Sequence, residues 1–290
     1  MSFYAGKKVF ITGGSAGIGR AMALQLAKQG ASIIVAARGK ERLDETVEAM
    51  KEAVGGNNQV FDSISVDVTD AQAMRDAAEQ TMKVLGGIDV LICNSGYAQT
   101  GTTDNLSDED FENLLNVNYL GHVHTVRAFL PHFIQQKSGN ICLVSSMLAF
   151  FSTWGYGAYS ASKYAIAGFA EALRQEMMLR GVKVTLFYPP TTVTPGLDRE
   201  NEDKPPVLLQ LEMDNSFTKV YQAEPVAASI LEATRKGKFE AYIGWDTWLV
   251  FTILRHFPRL GRWLNDNELK TAIKKVEAKG GSTEGEAAQH

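Results

Sequence analysis

Over most of the chain, short runs of β-branched and aliphatic residues alternate with longer stretches in which apolar positions recur every three or four residues. The first pattern suits strands buried on both faces, the second helices with one apolar face. Strands are expected at 8–12, 32–36, 59–66, 88–93, 140–145 and 182–188, and helices at 17–29, 40–54, 71–85, 108–136 and 157–180. Strand and helix in regular alternation imply crossover connections, hence a parallel sheet with helices on both faces. The expected fold is therefore α/β, a doubly wound Rossmann-type sheet whose ligands lie at the carboxyl ends of its strands. Residues 1–244 are read as one such domain, with the proline-interrupted stretch 195–223 as a lid. A helical extension at 245–279 and a disordered tail at 280–290 follow.

With 290 residues, 45% of them hydrophobic, the chain is long enough to bury a substantial core. A net charge of -4 gives no electrostatic case for nucleic acid. Cys93 and Cys142 each lie in an apolar run and read as buried free thiols, and no metal-ligand spacing occurs. The N-terminal residues run straight into the first strand without a signal-peptide apolar region, which points to the cytoplasm.

The first strand ends in Thr12-Gly13-Gly14-Ser15-Ala16-Gly17-Ile18-Gly19, and a helix begins inside this run. Gly13, Gly17 and Gly19 permit a tight turn, close backbone approach to a pyrophosphate and packing of helix on strand. The helix N-terminus supplies free N–H groups to an anion. About 20 positions on, where a carboxylate would hold the ribose diol of NAD, the chain has Ala37 and Arg38. A guanidinium there suits a 2′-phosphate and favours NADP(H), with Ser15 or Lys40 as possible partners; the alternative is a solvated loop arginine. After the third strand, Asp67 next to Val68 is placed either to accept from an adenine amino group or to cap the helix near residue 70. The small run Asn94-Ser95-Gly96 after the fourth strand admits a ribose close to the backbone.

The stretch 145–163 carries the candidate chemistry. Tyr159 and Lys163 are four residues apart, on one face of a helix, where an ammonium can stabilise a phenolate. Tyrosine titrates near ~10, so a tyrosine working as acid or base near neutral pH needs its anion favoured. Ser146, at the end of a buried strand, is positioned to bring a second hydroxyl beside the phenol; Ser145 is adjacent, and only spacing separates the two. Asn118 interrupts a helical stretch and reads either as a satisfied core amide or as the holder of a water beside Lys163.

TGGSAGIG, the CNSG run, Asn118, Ser146 and YSASK together resemble the short-chain dehydrogenase/reductase family over about 7–235. The resemblance implies hydride transfer between a nicotinamide cofactor and a carbonyl or alcohol. It assigns Tyr159 as proton donor or acceptor, Lys163 to lower its pKa and hold the nicotinamide ribose, Ser146 to polarise the substrate oxygen and Asn118 to complete a proton relay. It also implies a homodimer or homotetramer packed through the helices at 108–136 and 157–180. Where relatives have Pro-Gly after the sixth strand, this chain has Pro189-Pro190, a stiffer turn. Beyond it, the backbone at Thr192 and the hydroxyl of Thr194 are placed to hold the carboxamide. The Pro-Pro-x-Thr-x-Thr-Pro-Gly pattern, Glu200-Asn201 and Lys204-Pro205 resemble the 3-ketodihydrosphingosine reductase subgroup, which uses NADPH. A fatty acyl, steroid or xenobiotic ketone is the alternative substrate, and a nucleotide-sensing scaffold the alternative class.

Phe150, Phe151 and Trp154, with Leu208 and Leu211 of the lid, are candidates to line a channel for a hydrophobic carbonyl substrate; ordinary core or subunit contact is the other reading. The segment 245–264 combines tryptophans and aliphatics with Arg255, Arg259 and Arg262, and Pro258 breaks it. It is too short to span a bilayer and reads as a peripheral membrane contact or a subunit interface.

Overall fold

A computed structural model describes residues 2–55, 58–214 and 219–281. The strands are β1 (Lys8–Thr12), β2 (Ser32–Ala37), β3 (Phe61–Ser65), β4 (Val90–Cys93), β5 (Gly139–Val144) and β6 (Val182–Phe187). Two short strands, β7 (Thr192–Val193) and β8 (Tyr221–Gln222), pair with each other, and β9 (Glu240–Ala241) follows. The main sheet is wholly parallel in the order β3-β2-β1-β4-β5-β6-β9. Connections run outward from β1 in one direction and from β4 in the other, so the switch point lies between these strands.

Side-chain alternation along each strand feeds two apolar layers. On β1, Phe10 faces α3 (Ala71–Leu85), α5 (Gly121–Gln136) and α6 (Gly157–Met178), while Val9 and Ile11 face α1 (Gly17–Lys28), α2 (Lys40–Val54) and α9 (Ala223–Lys236). Cys93 and Cys142 are buried free thiols, one in each layer. The stretch expected to form a lid contains α7 (Pro195–Glu202) and α8 (Pro206–Asp214), and the expected extension contains α10 (Gly244–His256) and α11 (Pro258–Ala278).

The helix at 108–136, the strand β9 and the helix α9, which no expected helix covers, differ from expectation. The helix expected over 108–136 is two, α4 (Asp108–Leu115) and α5, joined by a π turn at Asn116–Leu120. The wider turn carries Asn118, which is completely buried. The strand β9 closes the sheet with two residues, too few for any periodicity to register. Within the helical extension expected at 245–279, α11 starts at Pro258, where a missing N–H costs the helix nothing. The expected tail falls largely on 282–290, outside the described residues.

Candidate active site

The glycine turn is braced from the neighbouring strand. Thr12 Oγ1 accepts from the backbone N–H groups of Asn94 and Ser95 at 2.9 and 3.2 Å, and Asn94 Nδ2 donates to the carbonyls of Thr12 and Gly13 at 3.3 Å. A Cβ on Gly19 would lie 2.0 Å from the carbonyl oxygen of Gly13, so only glycine allows α1 to begin this close to β1. No side chain caps α1 and no acid stands in its first turn, which leaves its N–H groups and the half-buried Ser15 for an anion. A Cβ on Gly17 would come within 2.9 Å of Thr194 Cγ2, so the loop after β6 rests directly on this turn.

Arg38 is exposed just beyond β2, its carbonyl accepting from Ser65 Oγ at 2.9 Å, while Lys40 is paired with Asp44 at 3.0 Å. Asp67 Oδ1 accepts from the N–H and hydroxyl of Thr69 at 2.9 and 2.8 Å. The cap of α3 belongs to Asp70, which accepts from Gln72 and Ala73, so the capping alternative for Asp67 is set aside. Val68 is buried, its carbonyl 3.1 Å from His124 Nδ1. Pro189 lines the cleft and its carbonyl accepts from Met147 N–H at 3.2 Å. The Thr192 hydroxyl donates to the Pro190 carbonyl at 2.7 Å, and Thr194 caps α7, accepting from Leu197 N–H at 3.2 Å. Ile18, Asn94, Gly96, Thr192 and Thr194 share one cleft of about 300 Å³ with Ser146, Tyr159 and Lys163.

The two serines separate cleanly. Ser145 Oγ donates to the backbone carbonyl of Lys163 at 3.0 Å and ties β5 to α6. Ser146 Oγ accepts from Leu148 N–H at 3.2 Å and lines the same cleft as the Tyr159 phenol. Lys163 is buried, its Nζ 3.5 Å from the Val144 carbonyl and 5.7 Å from the Tyr159 ring centre. The expected lowering of the Tyr159 pKa is reversed: burial pushes the phenol up to about 12, the Ser146 hydrogen bond pulls the other way, and the Glu200 charge adds to the rise. Burial also pulls Lys163 down to about 8. Asn118 is fully occupied: Nδ2 donates to Tyr97 O and Ser162 Oγ at 2.9 Å each, and Oδ1 accepts from Tyr97 N–H at 3.0 Å. A Cβ on Gly96 would come within 2.9 Å of Asn118 Oδ1 and 3.2 Å of Lys163 Nζ, so this glycine keeps open the floor that an approaching ribose needs.

Of the expected channel residues, Phe151, Leu208 and Leu211 line the cleft. Phe150 instead packs edge-on against Tyr188 and Phe251, its ring centre 5.4 and 4.8 Å from theirs, and Trp154 joins the cluster under α8. Both are taken by elements that local pattern does not bring together. Sequence reading missed Tyr156, Glu212 and Glu268, which also line the cleft, and the fully buried His122, whose Nε2 lies 3.0 Å from the Ser95 carbonyl. Burial foremost, then the Lys163 charge, pulls His122 down to about 3. For Glu200 and Lys204 the i, i+4 spacing was an available signal.

A cleft with a helix start at Ile18 on one wall and Ser146, Tyr159 and Lys163 on the other is the arrangement expected of an α/β oxidoreductase. The short chain dehydrogenase family model matches residues 7–205. The chain is 35% identical over 249 residues to the 3-ketodihydrosphingosine reductase of Bos taurus, covering 86% of this chain and 74% of that protein. To the Mus musculus protein of the same name it is 36% identical over the same length and shares. A short chain dehydrogenase from Mycobacterium paratuberculosis, solved bound to NAD, is 26% identical with a TM-score of 0.73, over 84% of this chain and 99% of that one. The chain is a member of the short-chain dehydrogenase family.

Proposed function

We propose that this protein reduces the 3-keto group of a long-chain amino alcohol, 3-ketodihydrosphingosine or a near analogue, using NADPH. The carrying observation is that Ser146, Tyr159 and buried Lys163 line one cleft together with Ile18 of the glycine turn. A bound nicotinamide dinucleotide supplies the hydride to the carbonyl carbon. Ser146 and Tyr159 donate to the carbonyl oxygen, and Tyr159 passes its proton to that oxygen as charge develops there. Lys163 supports the resulting phenolate. Gly13, Ser15, Gly17, Ile18 and Gly19 take the pyrophosphate, Arg38 the 2′-phosphate, Asp67 and Val68 the adenine, and Asn94, Ser95 and Gly96 a ribose. Pro189, Thr192 and Thr194 hold the carboxamide end, while Leu148, Phe151, Leu208 and Leu211 supply an apolar wall for the chain. The reading agrees with the reductases that the chain resembles.

Replacing Tyr159→Phe should lower turnover by at least ~100-fold while NADPH binding, followed by nucleotide fluorescence, persists. Unimpaired turnover in that variant rejects the assignment. The exposed Trp245, Trp248, Phe257 and Trp263, flanked by the exposed Arg259 and Arg262, support peripheral contact with the cytoplasmic face of a membrane. Among the described residues, no helix is long and apolar enough to cross a bilayer. Exposed Leu115 on α4 and Tyr164 on α6 support a homodimer or homotetramer packed through these helices.

A further inference from the structure

The lid places a polar cluster against the reacting hydroxyls that hydride chemistry does not use. The Lys204 side chain is completely buried, with Nζ 2.9 Å from Glu200 Oε1 and 2.8 Å from Glu212 Oε2. Tyr156 donates to both carboxylates, to Glu212 at 2.8 Å. Two carboxylates share one ammonium, so the cluster carries one negative charge in excess. Burial of its carboxyl also shifts Glu268, on the facing α11, upward, and that residue lines the same cleft.

The two acids of the cluster are not equivalent. Glu212 commits both oxygens to Lys204, at 3.0 and 2.8 Å. Glu200 commits only Oε1, and among the described residues nothing donates to its Oε2, although the side chain is only 11% exposed. Glu200 lines the cleft, so this oxygen is open to a donor carried by a ligand. Its neighbourhood is the reaction site: the Tyr156 and Tyr159 rings are 5.9 Å apart, and the Glu200 charge is felt at the Tyr159 phenol.

We infer that Glu200 is a specificity-determining residue that receives the ammonium group of an α-amino ketone, beside the carbonyl held by Ser146 and Tyr159. The inference rests on the proposed reaction. In such a substrate the nitrogen is two bonds from the carbonyl carbon, so ammonium and carbonyl oxygen must be received side by side. Glu212, Lys204 and Tyr156 hold Glu200 in place. A ketone lacking the nitrogen displaces water from the carboxylate and offers no donor in return, which discriminates by penalty as well as by attraction.

The test uses the full chain with NADPH and two long-chain ketones of equal length, one with the α-ammonium and one with hydrogen in its place. Wild type should favour the amino ketone, and Glu200→Gln should lower the ratio of the two kcat/KM values by about 30-fold, mainly through KM, as loss of one charge-assisted hydrogen bond implies. An unchanged ratio, or equal losses on both ketones, overturns the assignment and makes Glu200 a lid latch. Where the variant does not fold, the unaltered protein decides. A long-chain primary amine should compete with the ketone at least about tenfold better than the alcohol of equal length, and equal inhibition overturns the assignment. Reduction of neither ketone by wild type defeats the proposed reaction, while direct binding of the amine against the alcohol, measured by calorimetry, still decides the subsite, equal affinities overturning it.

Discussion

Burial opposes the charge that Lys163 is asked to carry. Its folded-state value of about 8 lies below the ordinary 10.5, so below pH 8 the folded protein bears the whole desolvation cost of the ammonium. Between these values the unfolded chain binds more protons, and this residue's contribution to stability rises with pH. Lys163→Met should therefore stabilise the fold by roughly 1–3 kcal/mol at pH 7 while abolishing turnover. That gain should vanish as the pH approaches 10.5; melting curves showing the same gain at both pH values contradict the account. Tyr159 has the opposite sign, its raised value contributing stability that is lost as pH climbs from 10 to about 12. Arg38 makes a separate prediction. In Arg38→Asp the ratio of kcat/KM for NADPH over NADH should fall by roughly 100-fold, since a favourable pairing with the 2′-phosphate becomes a repulsion. An unchanged ratio removes Arg38 from cofactor choice. At this scale most candidate residues were readable because each chemistry demands particular side chains. The division of labour between Ser145 and Ser146 was not, because it depends on which hydroxyl the carbonyl of Lys163 claims.

At the scale of elements, the turn between β1 and α1 is where backbone geometry is tightest. Gly19→Ala must push against the Gly13 carbonyl, and it should cost about 1–3 kcal/mol and raise the KM for NADPH, as measured by denaturant titration and initial rates. A variant with wild-type stability and KM shows that the turn relaxes freely. Strands β1 to β6 and helices α1, α2, α3 and α6 were legible because burial on one or two faces writes a period of 2 or 3.6 into the chain, whereas α9, which covers the same sheet, was not read. The π turn was not, since one extra residue per turn leaves the apolar pattern almost intact while rotating Asn118 into the interior. Nor was β9, whose two residues are a strand only because β6 offers them an edge.

For the whole molecule, α10 and α11 bring aromatic residues from two helices to the surface on either side of the break at Pro258. Replacing Trp245, Trp248 and Trp263 together by Gln should weaken binding to phosphatidylserine-containing vesicles by about tenfold or more, and added salt should weaken it further. Flotation showing no vesicle binding by the intact chain removes the membrane proposal. The polar cluster on α7 and α8 is likewise a product of assembly. Tyr156, Glu200, Lys204 and Glu212 meet only because α7 and α8 fold back over the start of α6. Hydrophobic periodicity, glycines at a turn and a Tyr–Lys pair on one helix face are local consequences of covalent spacing, and the sequence by itself determined the α/β class, the switch-point turn and the hydroxyl proposed to react. Which polar groups are shut away from water, and so which stay unpaired, depends on segments far apart in the chain. Only the tertiary structure decided that, and with it the charge of the pocket that meets the substrate.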